Sequence, residues 1–209
     1  MKLISLLSSG IDSPVATYLL SKKAKEIIVI HGDTESFTDG KEYEKFIKLL
    51  KHLRKIIDID IKSYVLTHSI SLGEYIKNCD RKYTCVFCKR MLLRYAEKIS
   101  QINGFDAIIM GDSLGQVASQ TLQNIKIIDQ AVEIPILRPL IGFDKKDIVS
   151  ISKKIGTYDI SILPSSSCTA VPNNPSTAAR LKKIIEEEEK LDIKSLVEKA
   201  VKNSKKVNI

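Results

Sequence analysis

The strongest constraint on the fold is an alternation of short, continuously apolar runs with amphipathic helical patterns. Apolar runs fall at Leu3–Leu7, Glu26–His31, Ile59–Thr67, Phe105–Met110 and Ile134–Leu137. Between them lie helical patterns: one opening at Pro14 with Val15, Leu19 and Leu20 inward, then Lys41–Ile57, a short one at Ser71–Lys77, Val86–Asn103 and Asp144–Ile155. The last of these is capped by Asp144 and stopped by Gly156. A strand covered on both faces has no polar side to show, so its sequence runs apolar instead of alternating. The order therefore predicts an α/β fold: a doubly wound, mostly parallel five-stranded sheet with helices on both faces. Residues 1–162 make this domain. Residues 163–209 form a Pro- and Ser-rich loop bearing a Cys, then C-terminal helices at Ser176–Glu189 and Ile193–Val201 packed on the same domain. Glu186–Glu189 is expected on a solvated helix face and Lys202–Ile209 as a frayed basic end.

With 44% hydrophobic and 28% charged residues, the chain has enough apolar material for one core. No apolar run reaches the roughly 20 residues that span a bilayer, and Met1-Lys2 leads directly into the first strand, so the expectation is a cytoplasmic protein with no membrane partner. In a reducing compartment four Cys point to metal or redox chemistry ahead of disulfides. Lys and Arg number 33 against 25 Asp and Glu, a net charge of +8, which suits a polyanionic partner but also serves solubility.

Four stretches carry chemistry. In Leu3–Pro14 a buried strand enters a Ser/Gly turn that opens a helix, with Asp12 or Ser13 expected as its cap. Free backbone N–H groups and the positive helix end then face one point, which suits phosphate; an ordinary strand–turn–helix link has the same composition. Gly111–Thr121 sets small residues where a flat ligand or a neighbouring backbone could approach. In open parallel sheets ligands bind beyond the carboxyl ends of the strands, where the loops at Ser8–Ser13, His31–Asp33 and Gly111–Gln116 converge. Cys85 and Cys88 form a CxxC pair at a helix start, where thiols are expected to be acidified; Cys79, Cys168 or a non-protein ligand would have to complete a metal site. Arg138, Lys145 and Lys146 place cations near another helix N-terminus, where an anion explains them better than helix stability does.

Ser8-Ser-Gly-Ile-Asp-Ser13 resembles the SGGxDS signature of the PP-loop ATP pyrophosphatases. Tyr83–Arg90, Gly111–Thr121, Leu137–Gly142, Ile155–Tyr158 and the late Cys168 resemble the ThiI branch, the tRNA 4-thiouridine synthetases. The similarity covers essentially the whole chain. It implies the adenine nucleotide alpha hydrolase-like version of the fold, ATP and Mg²⁺ as cofactors, and tRNA as substrate. Ser8, Ser9, Gly10, Ile11, Asp12 and Ser13 would cradle the pyrophosphate, with Asp12 near Mg²⁺. His31, Gly111, Asp112, Ser113 and Gln116 would line the nucleotide, and Arg138 or Lys145 would steady the leaving phosphates. By the same resemblance Cys168 either carries a persulfide or joins Cys85 and Cys88 around an iron–sulfur cluster; the CxxC pair favours the cluster. Ser9 departs from the signature, which has Gly there. The family's THUMP and rhodanese regions are not recognisable in this sequence, so the chain resembles the catalytic domain alone. A homodimer built through the last two helices, or a separate THUMP-bearing protein, is expected to help grip tRNA, and a separate sulfur donor to supply it. Sulfur transfer toward the thiamine thiazole, a non-catalytic binding module and a structural zinc protein are the alternatives.

Overall fold

The computed structural model describes residues 1–209. Its sheet has six strands: β1 (Lys2–Leu6), β2 (Glu26–Asp33), β3 (Ile61–Thr67), β4 (Ala107–Ile109), β5 (Ile136–Leu137) and β6 (Lys205–Lys206), in the order β5-β4-β1-β2-β3-β6. The first five are parallel, and β6 runs antiparallel to β3. In register, Ile4 of β1 lies between Ile28 of β2 and Ile108 of β4.

Successive strand residues feed opposite cores, which is why the strands read as unbroken apolar runs. Leu3, Ile27, Val29 and Ile109 pack against α1 (Asp12–Ser21), α2 (Lys41–Ile56) and α6 (Lys145–Lys154). Ile4, Ile28, Ile30 and Ile108 pack on the other face against α3 (Ser69–Asn78), α4 (Thr84–Asn103), α5 (Leu122–Asp129), α8 (Leu181–Glu188) and α9 (Ile193–Lys202). A single turn of helix, α7 (Tyr158–Ser161), follows α6. α8 and α9, the candidates for a dimer face, bury Ile184 and Ala200 in the chain's own core.

β2 and β4 flank β1 on opposite sides, so the winding direction of the sheet reverses between β1 and β4. A crevice opens at such a reversal, and the loops after β1 and β4 border it.

Several local expectations need correction. The residue capping α1 is Ile11, without a side-chain bond, because Ser13 is taken up by Ser8 and Asp12 by Lys145. Asp144 does precede α6, again without a side-chain capping bond. Gly156 ends that helix at φ 75°, and a Cβ there would meet the His52 ring at 2.9 Å. The C-terminal helix starts at Leu181, not Ser176, and α5 and α7 had no clear periodic signal. The basic end is not frayed: Arg54 donates to Ile61 O and Val207 O, and Val207 N donates to Ser63 O at 2.9 Å, adding β6 to the sheet. Glu188 is not solvated but buried.

Candidate nucleotide and sulfur site

The Ser8–Ser13 loop is pinned from within. Ser8 N donates to Ser13 Oγ at 2.9 Å, and Gly10 N donates to Ser8 Oγ at 3.3 Å. Ser161 of α7 donates to Gly10 O at 3.2 Å. Ser9 fits without strain, since no residue other than glycine has positive φ. Its buried hydroxyl donates to Glu42 of α2.

Gly111, just after β4, lies directly against the start of α1. A Cβ there would stand 2.6 Å from both the N and the Cα of Ser13, which is backbone and cannot swing aside. Gly111→Ala is therefore expected to cost about 2 kcal/mol or more, read as a lowered melting temperature in circular dichroism. Beyond Gly111 the loop is stitched to the turn before α6. Ser113 Oγ donates to Phe143 O, Gln116 Nε2 donates to Ser113 Oγ, and Leu114 N donates to Ile141 O.

Asp112 is the electrostatic centre of the site. It is buried and accepts from Lys89 Nζ at 2.6 Å and Arg138 Nε at 2.9 Å. Burial alone would push its carboxyl up, but Lys89 and Arg138 together hold it below the usual carboxylate range. Arg138 also binds Asp129, at 2.5 Å, so it serves as a strut between two carboxylates and not as a free cation. Lys145 is the open one: at the mouth of the loop its ammonium pairs with Asp12 Oδ1 at 2.6 Å, and both side chains reach solvent.

His31 supports the loop from beneath. Its ring stacks on Phe46 with centroids 4.2 Å apart, and Nδ1 lies 2.9 Å from Leu7 O. Burial lowers its pKa, which keeps it neutral, against the opposing pull of the Leu7 carbonyl and Asp33. A cavity of about 690 Å³ between α2 and the C-terminal residues, lined by Asp33, Tyr43, Val65 and Lys206 among others, adjoins the end of β2 and not the Ser8–Ser13 loop.

Cys85 and Cys88 stand one turn apart at the start of α4, and Cys168, half-buried on the long loop, lies within electrostatic reach of both. The three are near enough that burial first, then the neighbouring sulfurs, push the Cys88 thiol up to about 12. Burial and Cys168 likewise raise Cys85. The expected acidification by the helix terminus is thus reversed, because burial outweighs the dipole. His68 Nε2 lies 3.1 Å from Cys88 Sγ, and Nδ1 of the same ring lies 3.3 Å from the Tyr95 hydroxyl. Cys79 takes no part, since its thiol donates to Glu187 O. No three His, Cys, Asp or Glu side chains converge as ligands of a single ion.

Lys89 joins the two halves of the site, for it follows Cys88 directly and holds Asp112 of the loop after β4. Glu42, Lys45 and His68 do not stand out in the sequence, because each sits in a helical or strand-end pattern that explains it without a ligand. Lys89 lies inside the Tyr83–Arg90 stretch that the sequence marks out.

A family model described as "Thiamine biosynthesis protein (ThiI)" matches residues 1–193. The "Probable tRNA sulfurtransferase" of Methanothermobacter thermautotrophicus is 42% identical over 212 residues, covering 100% of this chain and 54% of that protein. The protein of the same description from Caldanaerobacter subterraneus is 38% identical, over 92% of this chain and 51% of its own length. The chain spans about half the length of the curated relatives it matches. Among solved structures, a 4-thiouridine synthetase in complex with RNA and with bound ATP superposes with a TM-score of 0.93 at 35% identity, over 99% of this chain and 54% of that one. An NMN synthetase from Francisella tularensis, at TM-score 0.54 and 14% identity, shares the fold alone. With the family model matching nearly its whole length, the chain belongs to the ThiI family.

Proposed function

We propose that this chain catalyses ATP-dependent sulfur transfer to a tRNA uridine, forming 4-thiouridine. The observation that carries the reading is the Lys89–Asp112 bridge, which ties the half-buried CxxC end of α4 to the loop after β4, at the switch point of the sheet. The reaction needs both in one place. Uracil O4 is a poor leaving group, so it first attacks the α-phosphate of ATP; pyrophosphate departs, the N3 proton is lost, and an adenylated base remains. A sulfur nucleophile then attacks C4 and AMP leaves.

The Ser8–Ser13 backbone and the start of α1 receive the pyrophosphate in this reading, and its growing charge is met by prearranged N–H groups. Lys145 is the mobile cation, able to exchange Asp12 for a phosphate oxygen. Asp12 fits a Mg²⁺ that keeps most of its waters and its phosphate ligands, since it is a partly exposed carboxylate at the loop. The ion would neutralise the leaving pyrophosphate. Asp112, Arg138 and Asp129 keep the loop after β4 rigid. Cys85, Cys88 and Cys168 match in number and donor type a cluster held by three thiolates, which would supply sulfur chemistry at an iron without a protein ligand. The sulfur itself comes from a separate donor. A THUMP-bearing region or a second copy of the chain extends the tRNA-binding surface, to which the net charge of +8 contributes.

Mass spectrometry of tRNA nucleosides from a strain lacking this protein tests the reading. Loss of 4-thiouridine, restored by the intact chain, is the expected result. An unchanged nucleoside profile together with a new thiamine requirement would instead assign the sulfur to the thiazole.

A further inference from the structure

We propose that Lys45 is a phosphate-binding residue of the nucleotide site, held in readiness behind the loop by Glu42. Lys45 lies in the second turn of α2 and is 7% exposed. Its ammonium, with three donor positions to fill, makes one hydrogen bond, to Ser165 Oγ at 3.1 Å. The carboxylate that should neutralise it, Glu42, stands 3.7 Å off, too far for a hydrogen bond. Both Glu42 oxygens are occupied elsewhere: one accepts from Ser9 of the phosphate loop, the other from Ser165. A buried ammonium with so little compensation is a costly arrangement in the empty protein. A second anion beside it would repay that cost.

The nearest place for such an anion is the Ser8–Ser13 loop. Glu42 touches both Ser9 and Lys45, so one carboxylate separates the ammonium from the loop hydroxyl. Lys145 reaches the same loop from the other flank, through Asp12. Two lysines therefore bracket it, one exposed and mobile, the other buried and pre-placed. A ligand between them carries several negative charges along its length, as the pyrophosphate end of a nucleoside triphosphate does. Ser9, the one departure from the family signature, thereby acquires a role: its hydroxyl keeps Glu42 turned toward the loop and leaves the ammonium short of a partner.

The inference rests on ATP being the nucleotide, and the test separates the two. Binding of ATP, pyrophosphate and AMP is measured by titration calorimetry on the wild type, Lys45→Met, Lys45→Arg and Glu42→Gln, with circular dichroism melts of each. Lys45→Met keeps the apolar stem and removes the charge; it is expected to weaken ATP and pyrophosphate about 10- to 100-fold while AMP changes less than about twofold. Lys45→Arg should recover most of that loss. Glu42→Gln removes a like charge near the phosphates and frees the ammonium, so ATP should bind several-fold more tightly. A purely structural ion pair predicts the opposite sign, with Glu42→Gln and Lys45→Met weakening ATP together; that result would overturn the inference. So would ATP affinity within about twofold of wild type in Lys45→Met. Should Lys45→Met fail to fold, the sign of the Glu42→Gln effect decides. A wild type that binds neither ATP nor pyrophosphate removes the nucleotide reading, and this inference with it.

Discussion

Cys168→Ser is expected to abolish 4-thiouridine formation while leaving ATP–pyrophosphate exchange with tRNA intact. In the proposed reaction adenylation uses the loops after β1 and β4, whose partners lie in α1, α6 and α7, and none of those contacts involves Cys168. The proposed sulfur step needs the thiol itself. Removal of a group that makes or carries the attacking atom costs on the order of 10³-fold or more. Comparing this variant with Cys85→Ser and Cys88→Ser distinguishes the two sulfur routes. Thiolate ligands of one cluster fail together, so all three variants should lose iron, acid-labile sulfide and thiolation alike. A persulfide on Cys168 would instead leave Cys85→Ser active. Anaerobic purification, metal analysis and nucleoside mass spectrometry on the three proteins read the outcome. Full activity of a colourless, iron-free wild type ends the cluster reading.

Glu188→Ala is expected to destabilise the fold more than Gly111→Ala does. Glu188 accepts from Arg90 Nε at 2.7 Å and Nη2 at 2.8 Å, and from Arg94 Nη1 at 2.8 Å and Nη2 at 2.7 Å. The carboxylate and the Arg90 guanidinium are both buried. Removing the shared anion leaves two cations together, one with no water to turn to, at a cost of about 3–5 kcal/mol. For a chain of this size that is roughly a 10 °C fall in melting temperature. Burial alone would raise the Glu188 carboxyl, but Arg90 and Arg94 outweigh it and bring it down to about 2. The folded-state value lies below the unfolded one, so the stabilisation is complete above the ordinary glutamate range and fades as pH falls toward 2. The shift corresponds to about 3 kcal/mol. Urea titrations between pH 6 and pH 2.5 should show wild type losing stability steeply below about pH 4.5. A Glu188→Gln protein should be weaker at pH 6 and flatter with pH. Replacing the group with matched apolar residues, as in Arg90→Met with Glu188→Leu, should restore much of the loss.

The sheet was legible because burial on both faces leaves an unbroken apolar signature, and Ile4, Ile28 and Ile108 fall in register as that signature requires. The position of the crevice followed from chain order alone, since the loops after the first and fourth strands border the point where the winding reverses. What stayed hidden depends on partners distant in sequence. Nothing local tells that Arg138 is spent on two aspartates while Lys145 is open. Nothing in a Glu-Glu-Glu-Glu run tells that the third is buried beneath two arginines almost a hundred residues away. The thiols mislead for the same reason: a helix start acidifies an exposed cysteine, but Cys88 is half-buried against His68 and the core, and that burial is a tertiary fact. Lys45 reads as the polar side of an amphipathic helix until Ser165 folds over it.

The lysine pair of β6 has a consequence for behaviour at high concentration. Without it, Tyr64 and Val65 would offer the unpaired edge of a parallel strand to any other chain. A two-residue strand of exposed lysines occupies that edge and repels a second copy, while Arg54 anchors the segment from behind. The side of the sheet beyond β3 is thereby closed to lateral growth by the Lys205–Lys206 segment.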